Sequence, residues 1–144
     1  MSGGGRRVAL LTYGTRGDVE PFLALAVGLQ RAGFAPQLAA PAVFETLAKD
    51  HQVEFFPLPG DPAQLARDLV ALAGTSWPRM VAEVSRYVAP LGAAVSRLAA
   101  ECAAGAELIV HSFLMTQIGH EMALRARIPS VSAQLFPVFA PTSS

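Results

Sequence analysis

The sequence contains little of what marks several common protein classes. It has one cysteine, Cys102, which excludes an internal disulfide framework. Its 11 basic and 11 acidic residues balance, so no net charge would attract nucleic acid. The longest uncharged stretch, residues 128–144, is interrupted by prolines and is not continuous enough for a membrane helix. With no evident signal peptide, we expect a cytoplasmic protein that binds no nucleic acid, and peripheral membrane contact stays open.

The chain has enough apolar residues to form one domain. Apolar residues make up 52% of its 144 residues, and the mean hydropathy is +0.39. This length and composition suit one domain with a sizeable core. Residues 1–6 are predicted to be a flexible N-terminus, which leads into a domain over residues 7–144.

One stretch, residues 13–21, organises the prediction. It follows a short apolar run and precedes a helical pattern that starts near residue 19, so it is predicted to contain a glycine-bearing turn between a strand and a helix. Gly14 and Gly17 can adopt a positive φ and let another group approach the backbone closely. Asp18 lies where the helix is expected to begin, and a carboxylate there is either a helix cap or a reactive group.

Short apolar runs alternate with helical stripes along the rest of the chain. The predicted strands cover residues 8–11, 37–40, 53–56, 107–110 and 130–134. The predicted helices are one ending at Gly33, a short one opened by Pro41, one capped by Asp61 with Pro62 and the capping-box partner Gln64, a long one with an apolar stripe from Val81 to Cys102, and one over residues 116–127. Pro90 lies inside the long stripe and is predicted to kink or split that helix. Cys102 is predicted to be a buried thiol.

This alternation predicts an α/β fold, a Rossmann-like three-layer domain with a mostly parallel sheet. Right-handed crossovers limit the topologies, and the predicted strand order is 3-2-1-4-5. The connections then leave in opposite directions between the first and fourth strands. Ligands of such sheets bind outside the carboxyl ends of the strands at that crevice. The two segments that leave it are residues 13–18 and residues 111–115.

The same glycine-bearing loop resembles the first loop of the GT-B glycosyltransferases, in the sterol and natural-product branch that includes the glycopeptide-antibiotic glycosyltransferases. The matching segments occur in order along most of the chain: Gly14-Thr15-Arg16-Gly17-Asp18-Val19-Glu20-Pro21, Leu25, Gly28-Leu29-Gln30, Ala32-Gly33, Phe44, Phe55-Phe56-Pro57-Leu58, Gly60-Asp61-Pro62, Leu108-Ile109-Val110-His111-Ser112 and Ile128-Pro129. The resemblance implies that residues 7–144 form an incomplete N-terminal, acceptor-side domain, the N-terminal half of a GT-B fold.

The resemblance also implies an activity. It implies transfer of a hexose from a UDP- or TDP-sugar to a hydroxyl of a lipid, sterol or natural-product acceptor, with inversion. Asp18 would be the catalytic base that takes the proton from the acceptor hydroxyl. Gly14, Thr15, Arg16 and Gly17 would lie on the side of the donor phosphates. No metal is implied, and no cofactor besides the nucleotide-sugar co-substrate.

Acceptor binding is expected from two parts of the chain, the end of the fourth strand and the long segment between the third and fourth strands. In the resembling family that long segment shapes the acceptor site. The expected acceptor-binding residues are His111, Ser112 and Phe113 beside the crevice, and Trp77 and Met80 in the long segment, which also contains Tyr87.

Each of these assignments has a structural alternative. Asp18 is also a good N-cap residue, and residues 14–17 also suit an ordinary tight turn between a strand and a helix. His111 could be a strand-end histidine bonded to backbone. Trp77 could be an exposed aromatic residue on a packed helix.

Two further motifs are incomplete. His120-Glu121 begins the zinc pattern H-E-x-x-H, but Leu124 stands in place of the second histidine, so no zinc site is supported. The glycine loop lacks a third glycine, and no acidic residue ends the second strand at Ala40. Both features count against a dinucleotide-binding oxidoreductase.

GT-B enzymes have two Rossmann-like domains, and the second holds most of the nucleotide-sugar contacts. The 144 residues do not include that second domain, so the resemblance implies a C-terminal donor domain as partner and no activity for this chain alone. Two alternatives stay open. One is a free-standing acceptor-binding domain that works with a separate donor-domain partner, and the other is half of a dinucleotide-binding oxidoreductase.

Overall fold

The computed structural model describes residues 4–135, apart from the side chain of Tyr87. Predictions for residues 1–3 and 136–144 lie outside this range. Strands and helices alternate along the described chain in the order β1 (Arg7–Leu11), α1 (Arg16–Arg31), β2 (Ala35–Pro41), α2 (Glu45–Asp50), β3 (Glu54–Leu58), α3 (Pro62–Leu72), α4 (Trp77–Ala103), β4 (Leu108–His111), α5 (Thr116–Ala126) and β5 (Ser130–Ser132). Each strand end lies within two residues of the predicted one.

The five strands form one sheet in the order β3-β2-β1-β4-β5, and every strand pair is parallel. The predicted topology is therefore confirmed. β1 lies at the centre of the sheet, where Leu10 is in register with Leu38 of β2 and Val110 of β4. The loops after β1 and β4 leave the same edge of the sheet on opposite sides, which places the predicted crevice between them.

Helices cover both faces of the sheet, as the continuous apolar run in β1 predicts. Val8 and Leu10 lie on one face and join a core with α1 and α2. Ala9 and Leu11 lie on the other face and join a core with α4 and α5. All four side chains are at most 2% exposed. The three-layer architecture predicted from the sequence is confirmed.

The first helix begins earlier than predicted. Its N-cap is Thr15, and α1 starts at Arg16 rather than near residue 19. The reading of Asp18 as the N-cap is therefore wrong, because Asp18 is the third residue of the helix. Gly17 lies in the first turn and does not take a positive φ. The predicted end is confirmed, since Gly33 has φ +87° just beyond the C-cap residue of α1.

The start of α3 is capped as predicted. The Asp61 Oδ1 atom accepts hydrogen bonds from the backbone N–H groups of Ala63 at 2.9 Å and Gln64 at 3.2 Å. The predicted reciprocal bond from the Gln64 side chain is wrong, because that side chain bonds to Asp68 and Arg67 on the exposed surface. α3 therefore has half of a capping box.

The long helix α4 is continuous from Trp77 to Ala103, so of the two effects predicted for Pro90 the split is wrong, and the kink stays a prediction. Val95, Ala99 and Cys102 bury its apolar stripe against the sheet, and the prediction of a buried Cys102 thiol is confirmed. Pro90 is exposed. The backbone carbonyl that loses its partner at a proline can there bond to water, which lowers the cost of a proline inside the helix.

Candidate functional site

The structure has a cavity of about 180 Å³ at the crevice between β1 and β4. Its walls come from three loops that follow strand carboxyl ends, those after β1, β4 and β5. The lining residues are Tyr13, Asp18, Ser112, Phe113, Leu114, Ala133, Gln134 and Leu135. Two predicted acceptor residues, Ser112 and Phe113, and the predicted base, Asp18, therefore border one space.

The Asp18 carboxylate is held in place by the residue that caps its own helix. Its Oδ2 atom accepts hydrogen bonds from the Thr15 backbone N–H at 2.9 Å and from the Thr15 hydroxyl at 3.2 Å. The Thr12 hydroxyl bonds to the Asp18 backbone carbonyl at 3.1 Å. Within residues 4–135 both bonds to the carboxylate end on Oδ2, so Oδ1 remains able to accept a proton.

Gly14 makes room for this carboxylate. Its φ is +144°, and a Cβ atom added there would lie 2.7 Å from Asp18 Cγ. The sequence predicted that a glycine in this loop would allow a close approach to the backbone. The group that approaches is the side chain of Asp18, in the first turn of α1.

The residues predicted for the donor phosphates lie at the start of α1, outside the lining of the cavity. Gly14 is buried, whereas Thr15, Arg16 and Gly17 are exposed. The Arg16 guanidinium pairs with Glu20 one helical turn later, so its charge is partly balanced. The donor-side role of these four residues stays a prediction.

His111 ends β4 but does not line the cavity. Its ring packs against α5, where a Cβ atom added at Gly119 would lie 2.8 Å from His111 Cδ2. Its Nδ1 atom lies 3.4 Å from the Ser112 carbonyl oxygen. The side chain is 3% exposed, and burial lowers the pKa of the imidazole below 6.5. This placement matches the structural alternative, a strand-end histidine bonded to backbone.

Five lining residues were given no site role from the sequence, although two of them lie in the segments predicted to leave the crevice, namely Tyr13 and Leu114, with Ala133, Gln134 and Leu135 beyond β5. Their shared signal is position, because each lies just beyond the carboxyl end of a strand at or next to the switch point. Tyr13 also ties two loops together, since its hydroxyl donates to the Pro59 carbonyl at 3.0 Å.

Half of α4 extends beyond the carboxyl edge of the sheet. The helix has 27 residues and is about 40 Å long, whereas a strand of five residues spans about 17 Å. Leu91, in the middle of α4, lies at the carboxyl edge, where a Cβ atom added at Gly60 would come within 2.9 Å of its Cδ1. Residues 77–90 therefore project past the strand ends, and we call them the α4 overhang.

The overhang carries an apolar stripe with little to cover it. Trp77, Val81 and Val88 continue the helical stripe that Val95 and Cys102 bury against the sheet. Because they point the same way as the buried part of the stripe, they face the space beyond the strand ends. Trp77 is 71% exposed, Val81 43% and Val88 41%.

The overhang thus contains both acceptor residues predicted in the long segment. Trp77 is largely exposed and Met80 is half-buried in the first turn of α4. Neither borders the small cavity. The Tyr87 side chain lies outside the described part of the chain.

A larger cavity lies elsewhere on the described residues. It has about 710 Å³ and lies between α4 and α5, next to the loop 104–106 that leads into the amino end of β4. Parallel sheets bind ligands at their carboxyl edge, so this groove is on the wrong edge for the chemistry. Its walls combine alanine and larger apolar side chains with the paired charges Glu121 and Arg125. We therefore place the candidate site at the smaller cavity.

Residues 4–135 contain no cluster of three or more histidine, cysteine, aspartate or glutamate side chains that could hold a metal ion. No helix in the same range is long and apolar enough to cross a bilayer.

Comparison with known proteins gives a family match over most of the chain. Residues 8–118 match the glycosyltransferase family 28 N-terminal domain. The matched region begins in β1 and ends in α5, and so includes the Asp18 loop, the α4 overhang and the end of β4.

Several curated relatives are sterol glucosyltransferases. A sterol 3-beta-glucosyltransferase of Arabidopsis thaliana is 40% identical over 96 residues, which are 67% of this chain and 15% of the relative. A sterol 3-beta-glucosyltransferase of Aspergillus oryzae is 46% identical over 61 residues, which are 42% of this chain and 4% of the relative. The chain thus corresponds to a small part of these relatives.

Several solved structures of similar fold are glycosyltransferases. The calicheamicin glycosyltransferase superposes with a TM-score of 0.73 at 18% identity, over 96% of this chain and 34% of that one. A glycosyltransferase from Streptomyces sp. SF2575, complexed with thymidine diphosphate, superposes with a TM-score of 0.64 at 18% identity, over 90% of this chain and 38% of that one. At this identity the likeness shows the fold alone.

Proposed function

Because this chain belongs to the glycosyltransferase family 28 N-terminal domain family, we propose that it is the acceptor-side domain of an inverting transferase. The enzyme moves a hexose from a nucleotide-sugar to a hydroxyl of a lipid, sterol or natural-product acceptor. One observation carries the proposal: the Asp18 carboxylate borders a cavity at the switch point, with Oδ2 bonded to Thr15. The sterol substrate named for the relatives favours a sterol among these acceptors.

In the proposed reaction the acceptor hydroxyl oxygen attacks the anomeric carbon of the sugar. The bond from that carbon to the diphosphate oxygen breaks, and the nucleoside diphosphate leaves. Asp18 Oδ1 takes the hydroxyl proton as the new bond forms. Attack from the side opposite to the leaving group inverts the anomeric centre.

The α4 overhang gives the apolar body of the acceptor a place outside the small cavity. A cavity of about 180 Å³ has room for about six water molecules, which is enough for one ring of an acceptor and too little for several fused rings. Trp77, Val81 and Val88 are exposed apolar side chains on the overhang, and we propose that they contact this apolar body. Covering them with an apolar acceptor would remove exposed apolar surface from water.

The nucleotide-sugar contacts are proposed to come mainly from a donor domain beyond these 144 residues. The chain spans 15% of the Arabidopsis relative and about a third of the calicheamicin glycosyltransferase. The thymidine diphosphate bound to a structural neighbour supports a nucleotide-sugar donor. Alone, the chain is expected to bind acceptor and to catalyse negligible transfer.

Binding to the isolated chain tests this division of labour. Cholesterol carried in cyclodextrin should bind saturably, and UDP-glucose should bind weakly. Trp77→Ala should weaken cholesterol binding several-fold, because it removes a large exposed ring from the overhang. Leu124→Ala, on the exposed side of α5, is the control and should have no effect. Tight UDP-glucose binding without sterol binding, or sugar transfer by the chain alone, would contradict the proposal.

A further inference from the structure

Two buried side-chain oxygens at the cavity have no hydrogen-bond partner among residues 4–135. They are Ser112 Oγ and Gln134 Oε1, and both residues line the cavity. Ser112 is 7% exposed. A buried oxygen without a partner costs free energy, so such groups usually indicate something that binds there.

The backbone groups of Ser112 are hydrogen-bonded, whereas its side-chain hydroxyl is not. The Ser112 N–H donates to the Leu11 carbonyl at 3.0 Å, which joins the ends of β1 and β4. The Ser112 carbonyl accepts from the Met115 N–H at 3.1 Å and from the Thr116 hydroxyl at 3.3 Å. These bonds fix the residue in the crevice, and its hydroxyl can donate to a ligand or accept from one.

Gln134 is oriented by its own neighbour. Its Nε2 group donates to the Ser132 hydroxyl. The donor end of the amide is therefore held at β5, and the acceptor end, Oε1, is the part that remains unbonded. An amide oxygen accepts hydrogen bonds and cannot donate them.

The charge and polarity of the cavity disfavour a phosphate group and favour a hydroxyl group as its ligand. A phosphate group would meet the Asp18 carboxylate and the Gln134 oxygen, neither of which can donate to it. Most of the other lining side chains are aromatic or aliphatic, among them Phe113, Leu114 and Leu135. A single hydroxyl on an apolar carbon frame fits both the polar oxygens and the apolar walls.

We infer that Ser112 and Gln134 recognise the hydroxyl group of the acceptor and orient it toward Asp18. The Ser112 hydroxyl donates to the acceptor oxygen, and the acceptor hydrogen is shared between Gln134 Oε1 and Asp18 Oδ1, so that Asp18 takes it as the bond to the anomeric carbon forms. One lone pair of the acceptor oxygen stays free for the attack. Gln134 is a positioning residue, and Asp18 remains the base. This inference rests on the proposed function and adds the residues that choose a hydroxyl.

The test compares cholesterol with cholest-5-ene, which lacks the hydroxyl. Dissociation constants are measured on the 144-residue chain with radiolabelled sterol carried in cyclodextrin. The unsubstituted chain should prefer cholesterol by about tenfold or more, because cholest-5-ene leaves both buried oxygens without a partner. Ser112→Ala and Gln134→Met should each remove most of this preference. Gln117→Met, at an exposed position of α5, and Ser96→Ala, on α4, are controls that should keep it.

The ratio of the two dissociation constants distinguishes loss of hydroxyl recognition from general loss of structure, since a loosened fold would weaken the binding of both sterols. Equal affinity for the two sterols in the unsubstituted chain would overturn the inference and leave the acceptor-side function standing. A preference that survives both substitutions would overturn it as well. If neither sterol bound saturably to the unsubstituted chain, the proposed function would fail and the inference with it.

Discussion

The substitution Asp18→Asn separates a structural carboxylate from a catalytic one. Asparagine keeps the size of the side chain and one oxygen that can accept the Thr15 N–H bond, which is 2.9 Å long in the structure. It cannot take a proton from an attacking hydroxyl. The same substitution therefore preserves the local structure and removes the proposed chemistry.

The expected effect on stability is small. The bond from Thr15 to Asp18 lies at an exposed helix start, and the charge there interacts favourably with the helix dipole by about 0.3–1 kcal/mol. Asp18→Asn should thus lower the free energy of unfolding by less than about 1 kcal/mol. Asp18→Ala also loses the hydrogen bond and should cost about 1 kcal/mol.

The expected effect on turnover is large. General base catalysis contributes about 10²-fold or more. In a transferase assembled from this chain and a donor domain, Asp18→Asn and Asp18→Ala should both lower kcat by about that factor. The assay is steady-state transfer from UDP-glucose to cholesterol, with urea denaturation of each variant.

Asp61→Asn is the matched control, because Asp61 caps α3 with the same kind of bonds and lies outside the crevice. It should leave both kcat and stability nearly unchanged. A turnover of Asp18→Asn within about twofold of the parent would refute the assignment of Asp18 as the base.

Three further predictions concern the fold. Burial lowers the pKa of His111, so below pH 6.5 the unfolded chain binds a proton at this residue that the folded chain does not bind. The free energy of unfolding should therefore fall as the pH drops below 6.5. His111→Asn should make that fall smaller, as measured by urea titrations at pH 7.5 and 5.5. Gly119→Ala should lower the free energy of unfolding by about 1–3 kcal/mol in urea denaturation, because the new methyl group meets the His111 side chain. Gly28→Ala, with open space around it in α1, should raise it by about 0.5–1 kcal/mol. Equal effects of the two substitutions would contradict this packing. Burial raises the pKa of the Cys102 thiol to about 12, so Cys102 should resist a thiol reagent at pH 8 until the chain unfolds, and rapid labelling of the folded chain would contradict this.

The topology could be predicted because it depends on patterns that the sequence shows directly. The run from Val8 to Leu11 has no polar residue, as a strand covered on both faces requires. Alternating strands and helices then permit few orders of a parallel sheet. The crevice follows from that order and was predicted without any ligand.

The start of α1 was misplaced although the sequence carried the signal. Thr15 and Asp18 are spaced as in a capping box, a threonine followed three residues later by an acidic residue. The glycine between them favoured a longer turn in the prediction. The N-cap is Thr15, and that placement orients the Asp18 carboxylate.

Whether the His111 side chain faces the crevice or α5 depends on where β4 ends. With β4 ending at residue 110, His111 would belong to the loop at the crevice. β4 includes His111, so its side chain obeys the alternation of the strand and lies on the same face as Ile109, against α5. Gln134 was missed for a different reason, because the predicted fifth strand ran to residue 134, whereas β5 ends at Ser132 and leaves Gln134 in the loop that lines the cavity.

Photo-crosslinking is the most direct test of the claim that the acceptor binds at the carboxyl edge of the sheet. A cholesterol analogue with a diazirine group is bound to the chain, irradiated and mapped by mass spectrometry, with unlabelled cholesterol as competitor. The account predicts competed adducts on the crevice and the α4 overhang, at residues such as Phe113, Leu114, Trp77 and Val81. Competed adducts confined to the groove between α4 and α5, for example at Met122, would contradict it.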